Sequence, residues 1–158
     1  RHDVLARIND PSAQALVAPR TSMRNHLPCS VARLDSAGPG DPLVRVVLLL
    51  AGGGELASLI TRESAELLAL QPGLSVLALC KATAVRIGPA DSAPAAQGVN
   101  HLAGRASRLS RGVQRDEVVA TLAGALQLVG FAARPNRLRA GSRVVAGIDE
   151  SAVVIALT

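Results

Sequence analysis

Aromatic side chains are almost missing from this 158-residue chain, which has no Trp, no Tyr and a single Phe, Phe131. A core must therefore be built from Val, Leu, Ile and Ala, and the 49% hydrophobic content supplies enough of them for a packed fold rather than a disordered chain. The same lack argues against direct binding of single-stranded nucleic acid, which uses aromatic platforms for base stacking. Two cysteines, Cys29 and Cys80, are too few for a disulfide framework and have no metal-ligand spacing. They are read as reduced core thiols of a cytoplasmic protein. No apolar run approaches ~18 residues, so no membrane span is expected, and no signal peptide is visible. Catalytic patterns are missing as well. His26, Cys29 and His101 are the obvious nucleophile or base candidates, and they form no triad-like arrangement, so the chain is not read as an enzyme. Gly52-Gly53-Gly54 lacks the following Lys-Ser/Thr of a phosphate-binding loop and reads as a hairpin turn.

Lysine is equally scarce: among 17 Lys and Arg residues, Lys81 stands alone as a lysine. The net charge of +5 favours an anionic partner. The arginines, however, are scattered, and the excess of Arg and Ala matches a coding bias towards G and C. Lys81 sits inside "SVLALCKATAVRI" at residues 75–87, an apolar run that reads as a buried strand.

What the chain does contain is an internal repeat. "NHLPCSVARL" at residues 25–34 matches "NHLAGRASRL" at 100–109, and "GLSVLALCKATAVRI" at 73–87 matches "GSRVVAGIDESAVVI" at 141–155. Residues 21–89 and 100–158 are thus read as two similar small domains, joined by a linker at 90–99. Residues 1–20 read as a linker or the remnant of an upstream domain, with a helix tail at 4–9 broken by Asn9-Asp10-Pro11. Because the chain starts at Arg1, a preceding domain is expected. In the first unit, strands are expected at 27–34, 43–52 and 55–60, then a short helix in "TRESAELLALQPG", then one or two strands over 74–87. The fold class is mainly β: two tandem barrels of the OB type, each with one short helix. Thr61 suits the helix N-cap, and with Ser64 it would offer hydroxyls and free N–H groups that suit an anion.

"TSMRNHL" at 21–27, "ITRESAELLAL" at 60–70 and "LCKATAVRI" at 79–87 together resemble the molybdate-binding Mop module, also called the transport-associated OB domain. The tandem arrangement is similar to the di-Mop half of ModE-type molybdate-responsive transcriptional regulators, and to the di-Mop molbindins that store molybdate. The resemblance implies a homo-oligomer, a dimer before a trimer, with molybdate or tungstate bound between modules of different subunits. It places the ligand contacts on Ser22, Arg24, Thr61, Ser64, Lys81 and the Ala82 backbone N–H, and puts Leu67 where an arginine stands in ModE-type helices. It further implies contact with DNA only through an upstream domain. The alternatives are a free-standing molbindin and, third, the accessory domain of a molybdate transporter ATPase.

The residue types agree with an oxyanion. Hydroxyls, two cations and N–H groups are all donors, which reject metal cations and leave the O–H of a protonated phosphate without an acceptor. The second copy differs: Asp149 and Glu150 replace Lys81 and Ala82, Val99 replaces Arg24, and "FAARPNRLRAG" offers no Thr or Ser. That unit is expected to keep the fold without this site. A lysine, compact on a slim stem, suits a small tetrahedral anion in a crowded interface better than a planar arginine fork.

Overall fold

The computed structural model describes residues 21–92 and 96–158; the helix tail expected at 4–9 lies outside them. In the first half, β1 (Asn25–Asp35), β2 (Leu43–Leu50) and β3 (Glu55–Thr61) lead into α1 (Arg62–Leu67). After it come β4 (Ser75–Cys80), a 3-10 turn (Ala82–Ala84) and β5 (Arg86–Pro89). The second half repeats the pattern with β6 (Val99–Ser110), β7 (Arg115–Thr121), β8 (Gln127–Ala133), β9 (Arg143–Asp149) and β10 (Val154–Leu157). Further 3-10 turns lie at Ala123–Ala125 and Glu150–Ala152. No helix among the described residues is long and apolar enough to cross a membrane.

Alternation sets the inward faces. Along β1, Asn25, Leu27, Cys29 and Val31 are buried while their neighbours are less so, and β2 buries Val44, Val46, Leu48 and Leu50. The long first strand of each half bulges at the same place, between Val31 and Arg33 and between Ala106 and Arg108. A bulge bends the strand and lets it serve two neighbours around a curved sheet.

The sheets do not follow the repeat boundary. One has the order β10-β4-β1-β2-β3, and the other is a closed barrel, β5-β8-β7-β6-β9. Each half therefore gives its last strand to the other: β5 pairs with β9 from Arg86↔Gly147 to Pro89↔Val144, and β10 pairs with β4 from Val154↔Leu79 to Leu157↔Val76. The two sheets share one continuous core of aliphatic side chains. The barrel closes through the Phe131 N–H donating to the Val85 carbonyl (2.9 Å). At the matching gap in the first sheet the buried Ser58 hydroxyl donates to the Val153 carbonyl (2.7 Å) instead.

Two asparagines join the halves. The Asn25 side chain donates to the Val129 carbonyl (2.9 Å) and accepts from the Val129 N–H (2.7 Å). Asn100 does the same with Ala57, at 2.9 and 2.8 Å. These are the first residues of the repeated "NHL" segments, and both are buried. Beside them the two hairpin turns interlock: a Cβ on Gly52 would lie 2.1 Å from the Ala123 carbonyl oxygen, and one on Gly124 would lie 2.3 Å from the Gly52 Cα. Gly52-Gly53-Gly54 is thus a turn, as its sequence suggested, and its first glycine also serves close backbone approach.

The helix occurs in the first half alone among the described residues, so "each with one short helix" is corrected for the second module, which has none. Residues 134–142 begin with Pro135 one position in, and their one cap-type residue near the start, Asn136, is drawn into an ion network, described below, that takes the helix's place.

Asn25→Ala leaves both the N–H and the carbonyl of Val129 without partners. Urea unfolding is expected to show a loss of roughly 2 kcal/mol or more, since each unpaired buried backbone group costs about 1–3 kcal/mol. Asn100→Ala should behave alike.

Candidate oxyanion-binding site

β4 ends at Cys80, and Lys81 follows in extended conformation as the residue before the turn Ala82–Ala84. Of the one or two strands expected over 74–87 the structure forms two, parted at Lys81, which is exposed rather than set in a buried run. The ladder stops because the chain leaves the first sheet here and crosses to the barrel as β5. The β1–β4 register ends at the Asn25↔Cys80 pair, so Arg24 and Lys81 are the next residues out along the two strands, and exposed Ser22 lies in the same lead-in to β1.

The next residue carries the most telling group. Ala82 is only 6% exposed, and its N–H finds no backbone partner among the described residues. In the second half the matching Glu150 N–H donates to the Gly98 carbonyl (2.9 Å). The carbonyl that would do this for Ala82 belongs to Met23, and it accepts from His26 Nε2 instead (2.6 Å). His26 thus has a structural task.

Thr61 and Ser64 sit elsewhere. Thr61 caps α1: its Oγ1 accepts from the Ser64 N–H (3.1 Å) and donates to the Ser64 hydroxyl (2.9 Å). Thr61 pairs with Leu43, two residues beyond the Arg45 that faces Asp35 at the end of β1. Arg24 precedes the start of that strand, whose 11 residues each rise about 3.3 Å. The two groups of donors lie at opposite ends of the first sheet, and no hydrogen bond or ion pair among the described residues joins them within the chain. Two large apolar side chains stand exposed near Thr61 and Ser64, Leu67 (78%) on α1 and Leu43 (45%) opposite Thr61, beside the exposed Glu63 and Glu66.

Sequence inspection missed Glu117. Its carboxylate accepts from Arg24 Nη1 at 3.0 Å, across 93 residues of chain. No local pattern marks it, because β7 of the second half brings it there. The pair is half exposed, so it is weak, and arginine has further N–H donors to offer another anion. Among the described residues no three His, Cys, Asp or Glu side chains are grouped to hold a metal ion. Cys29 and Cys80 are buried free thiols; burial pushes Cys29 up to about 11 and Cys80 upward too, which makes both poor nucleophiles.

The family model of the TOBE domain matches residues 21–87. The first module is a TOBE domain. The chain is 35% identical over 114 residues to the transcriptional regulator ModE of Yersinia pestis, covering 70% of this chain and 43% of that protein. It is 33% identical over 103 residues to the molybdenum-pterin-binding protein MopA of Rhodobacter capsulatus, covering 65% of this chain and 38% of MopA. The chain thus spans less than half the length of these relatives. Among solved structures, the cytoplasmic molybdate-binding protein ModG, in a form with molybdate bound, superposes with a TM-score of 0.80 at 28% identity. That match covers 89% of this chain and all of the ModG chain. The likeness extends to both modules, so the OB-type tandem architecture is the fold of the whole described chain.

In the second module, side chains of the protein fill the places that hold donors in the TOBE domain. Glu150 is bound by Arg45 Nε through both oxygens (3.1 and 3.0 Å), and Asp149 pairs with Arg86 (3.2 Å). Both arginines come from the first half, so this acidic pair fastens one half to the other. Where α1 would stand, Asp116 is fully buried and accepts from the Gly112 N–H (2.9 Å), Arg111 (2.7 Å) and Asn136 (2.8 Å), with Arg134 at 3.7 Å. The Gly112 N–H bond, aided by Arg111, Asn136 and Arg134 against the opposing effect of burial, lowers its carboxyl from 3.8 to about 2. A value lowered on folding stabilises the fold fully above the unfolded value, and that contribution drains away as pH falls through the folded one. Thermal unfolding of the parent should therefore lose stability between pH ~4 and ~2 through Asp116. Asp116→Asn should be less stable at pH 7 and show a flatter acid limb, checked by melting both proteins across that range.

Proposed function

We propose that the TOBE domain binds a tetrahedral dianion, molybdate or tungstate, at a site shared between two copies of the chain. Ser22, Arg24, Lys81 and the Ala82 N–H come from one copy, and Thr61 and Ser64 from another. The observation that carries this reading is the Ala82 N–H beside Lys81, without a partner among the described residues in a nearly buried residue. Buried backbone donors are almost always paired, and the matching Glu150 N–H in the second module is. A ligand oxygen completes the set, with Lys81 and Arg24 balancing its charge. The distance between the two donor groups in one chain supports sharing, and exposed Leu43 and Leu67 around the hydroxyls suit a subunit interface. ModG, which matches along its whole length, is a molybdate-binding protein.

On this reading the chain is the cytoplasmic effector part of a ModE-type regulator. Anion binding across the interface reorients DNA-binding parts that lie outside these residues. The similarity to a transcriptional regulator supports it. The match to the full ModG chain favours a second reading, a free-standing molybdate carrier. Stoichiometry separates the two: about one anion per chain or fewer for the sensor, several for the carrier.

Calorimetry with molybdate tests the site. Lys81→Ala and Thr61→Ala should each weaken binding by ~10-fold or more, a loss of at least ~1.4 kcal/mol. Mixing the two variants under conditions of subunit exchange should restore about a quarter of the sites, each built from the intact Lys81 of one chain and the intact Thr61 of another. A mixture as weak as its components would defeat the shared site, and undiminished binding by Lys81→Ala would defeat the assignment itself.

A further inference from the structure

The fold builds the same outer groove twice. In the first module Ser30 faces Ser75 on one side and Leu49 on the other, and Leu49 faces Glu55. In the second, Arg105 faces Arg143 and Thr121, and Thr121 faces Gln127. Directly opposed residues of antiparallel strands share one face of the sheet, so each set forms a row across four strands. Serine, serine, leucine and glutamate in the first row become arginine, arginine, threonine and glutamine in the second. Each change adds a cation, adds a hydroxyl or removes an acid.

The two arginines stand on directly opposed positions of β6 and β9. Like charges directly opposite one another weaken a sheet. Neither Arg105 nor Arg143 forms an ion pair among the described residues, and Arg105 donates only to the Gly141 carbonyl (3.2 Å). Arg24, Arg33, Arg45, Arg86, Arg111 and Arg134 hold carboxylates, whereas Arg105 and Arg143 are, with Arg62, Arg108, Arg115, Arg137 and Arg139, among the described arginines that do not. Arg105, Arg143 and Thr121 line a shallow groove of about 580 Å³ whose other walls include Ala90, Ala103 and Ala123.

We propose that this groove binds a phosphate-type oxyanion, either free or as the phosphomonoester head of a small organic molecule. Two guanidinium forks supply several N–H donors for the oxygens of one tetrahedral anion, the Thr121 hydroxyl adds another, and the alanine walls leave room for an organic part. The groove uses no residue of the Lys81 site.

The test replaces Arg105 and Arg143 with serine, the residues of the equivalent place in the first module, which that sheet already accommodates. Inorganic phosphate and phenyl phosphate are titrated into the full chain, with amide chemical shifts and calorimetry as readouts. Shifts centred on Arg105, Thr121 and Arg143 are expected with at least one of the probes. The double variant should bind that probe ~10-fold or more weakly, melt no lower than the parent without ligand, and keep its molybdate response. Tighter binding of phenyl phosphate points to the organic source, and equal binding to the free anion. Equal affinity of the parent and the double variant, or shifts centred elsewhere, overturns the proposal.

Discussion

Two buried carboxamides hold this molecule in register. A side-chain amide has a donor and an acceptor at the spacing of a peptide group, so Asn25 and Asn100 each stand in for a strand residue that the sheet edge lacks. Each reaches out of one half and pairs with the backbone of the other. Nothing smaller or less polar can do so, because the buried Ala57 and the half-buried Val129 would each be left with two unpaired groups. With those bonds made, Gly52 and Gly124 can meet backbone to backbone, and the exchanged strands fall into line.

On that common frame the two halves have diverged in opposite electrostatic directions. At the end of the fourth strand the first half presents Lys81 and the Ala82 N–H, while the second presents Asp149 and Glu150, neutralised by arginines of the first. The second half is thus closed at this place by its own carboxylates, which occupy arginines much as an anion would. On the outer groove the sense reverses, with serines in the first half and arginines in the second. Duplication has supplied two copies of each position, and each copy has specialised in one.

Most of this was legible in the sequence wherever local chemistry decides. The alternation of apolar residues marked β1, β2 and β3 to within about two residues, and Thr61 announced the start of α1. The repeat foretold two similar units. What could not be read were contacts across the repeat boundary. Nothing near β5 says that it pairs with β9, because an exchanged strand has the same pattern as one that folds back. Glu117 reaches Arg24 by the same long route. The lone lysine was taken as part of a strand because its neighbours are apolar; their burial comes from two different sheets, and Lys81 marks the change from one to the other. The missing second helix was half visible, in Pro135, whereas the Asp116 network that replaces it joins nearby Arg111 and Gly112 to Asn136 and Arg134 of a distant segment.

The exchange of β5 and β10 has a consequence for descent. A chain cut after its first repeat leaves β4 without its outer neighbour, and the second repeat alone lacks the strand that closes its barrel. Neither copy can be inherited or discarded by itself. A repeat that has lost its ligand chemistry is still retained as the lender of a strand, and that retention gives it time to acquire another use.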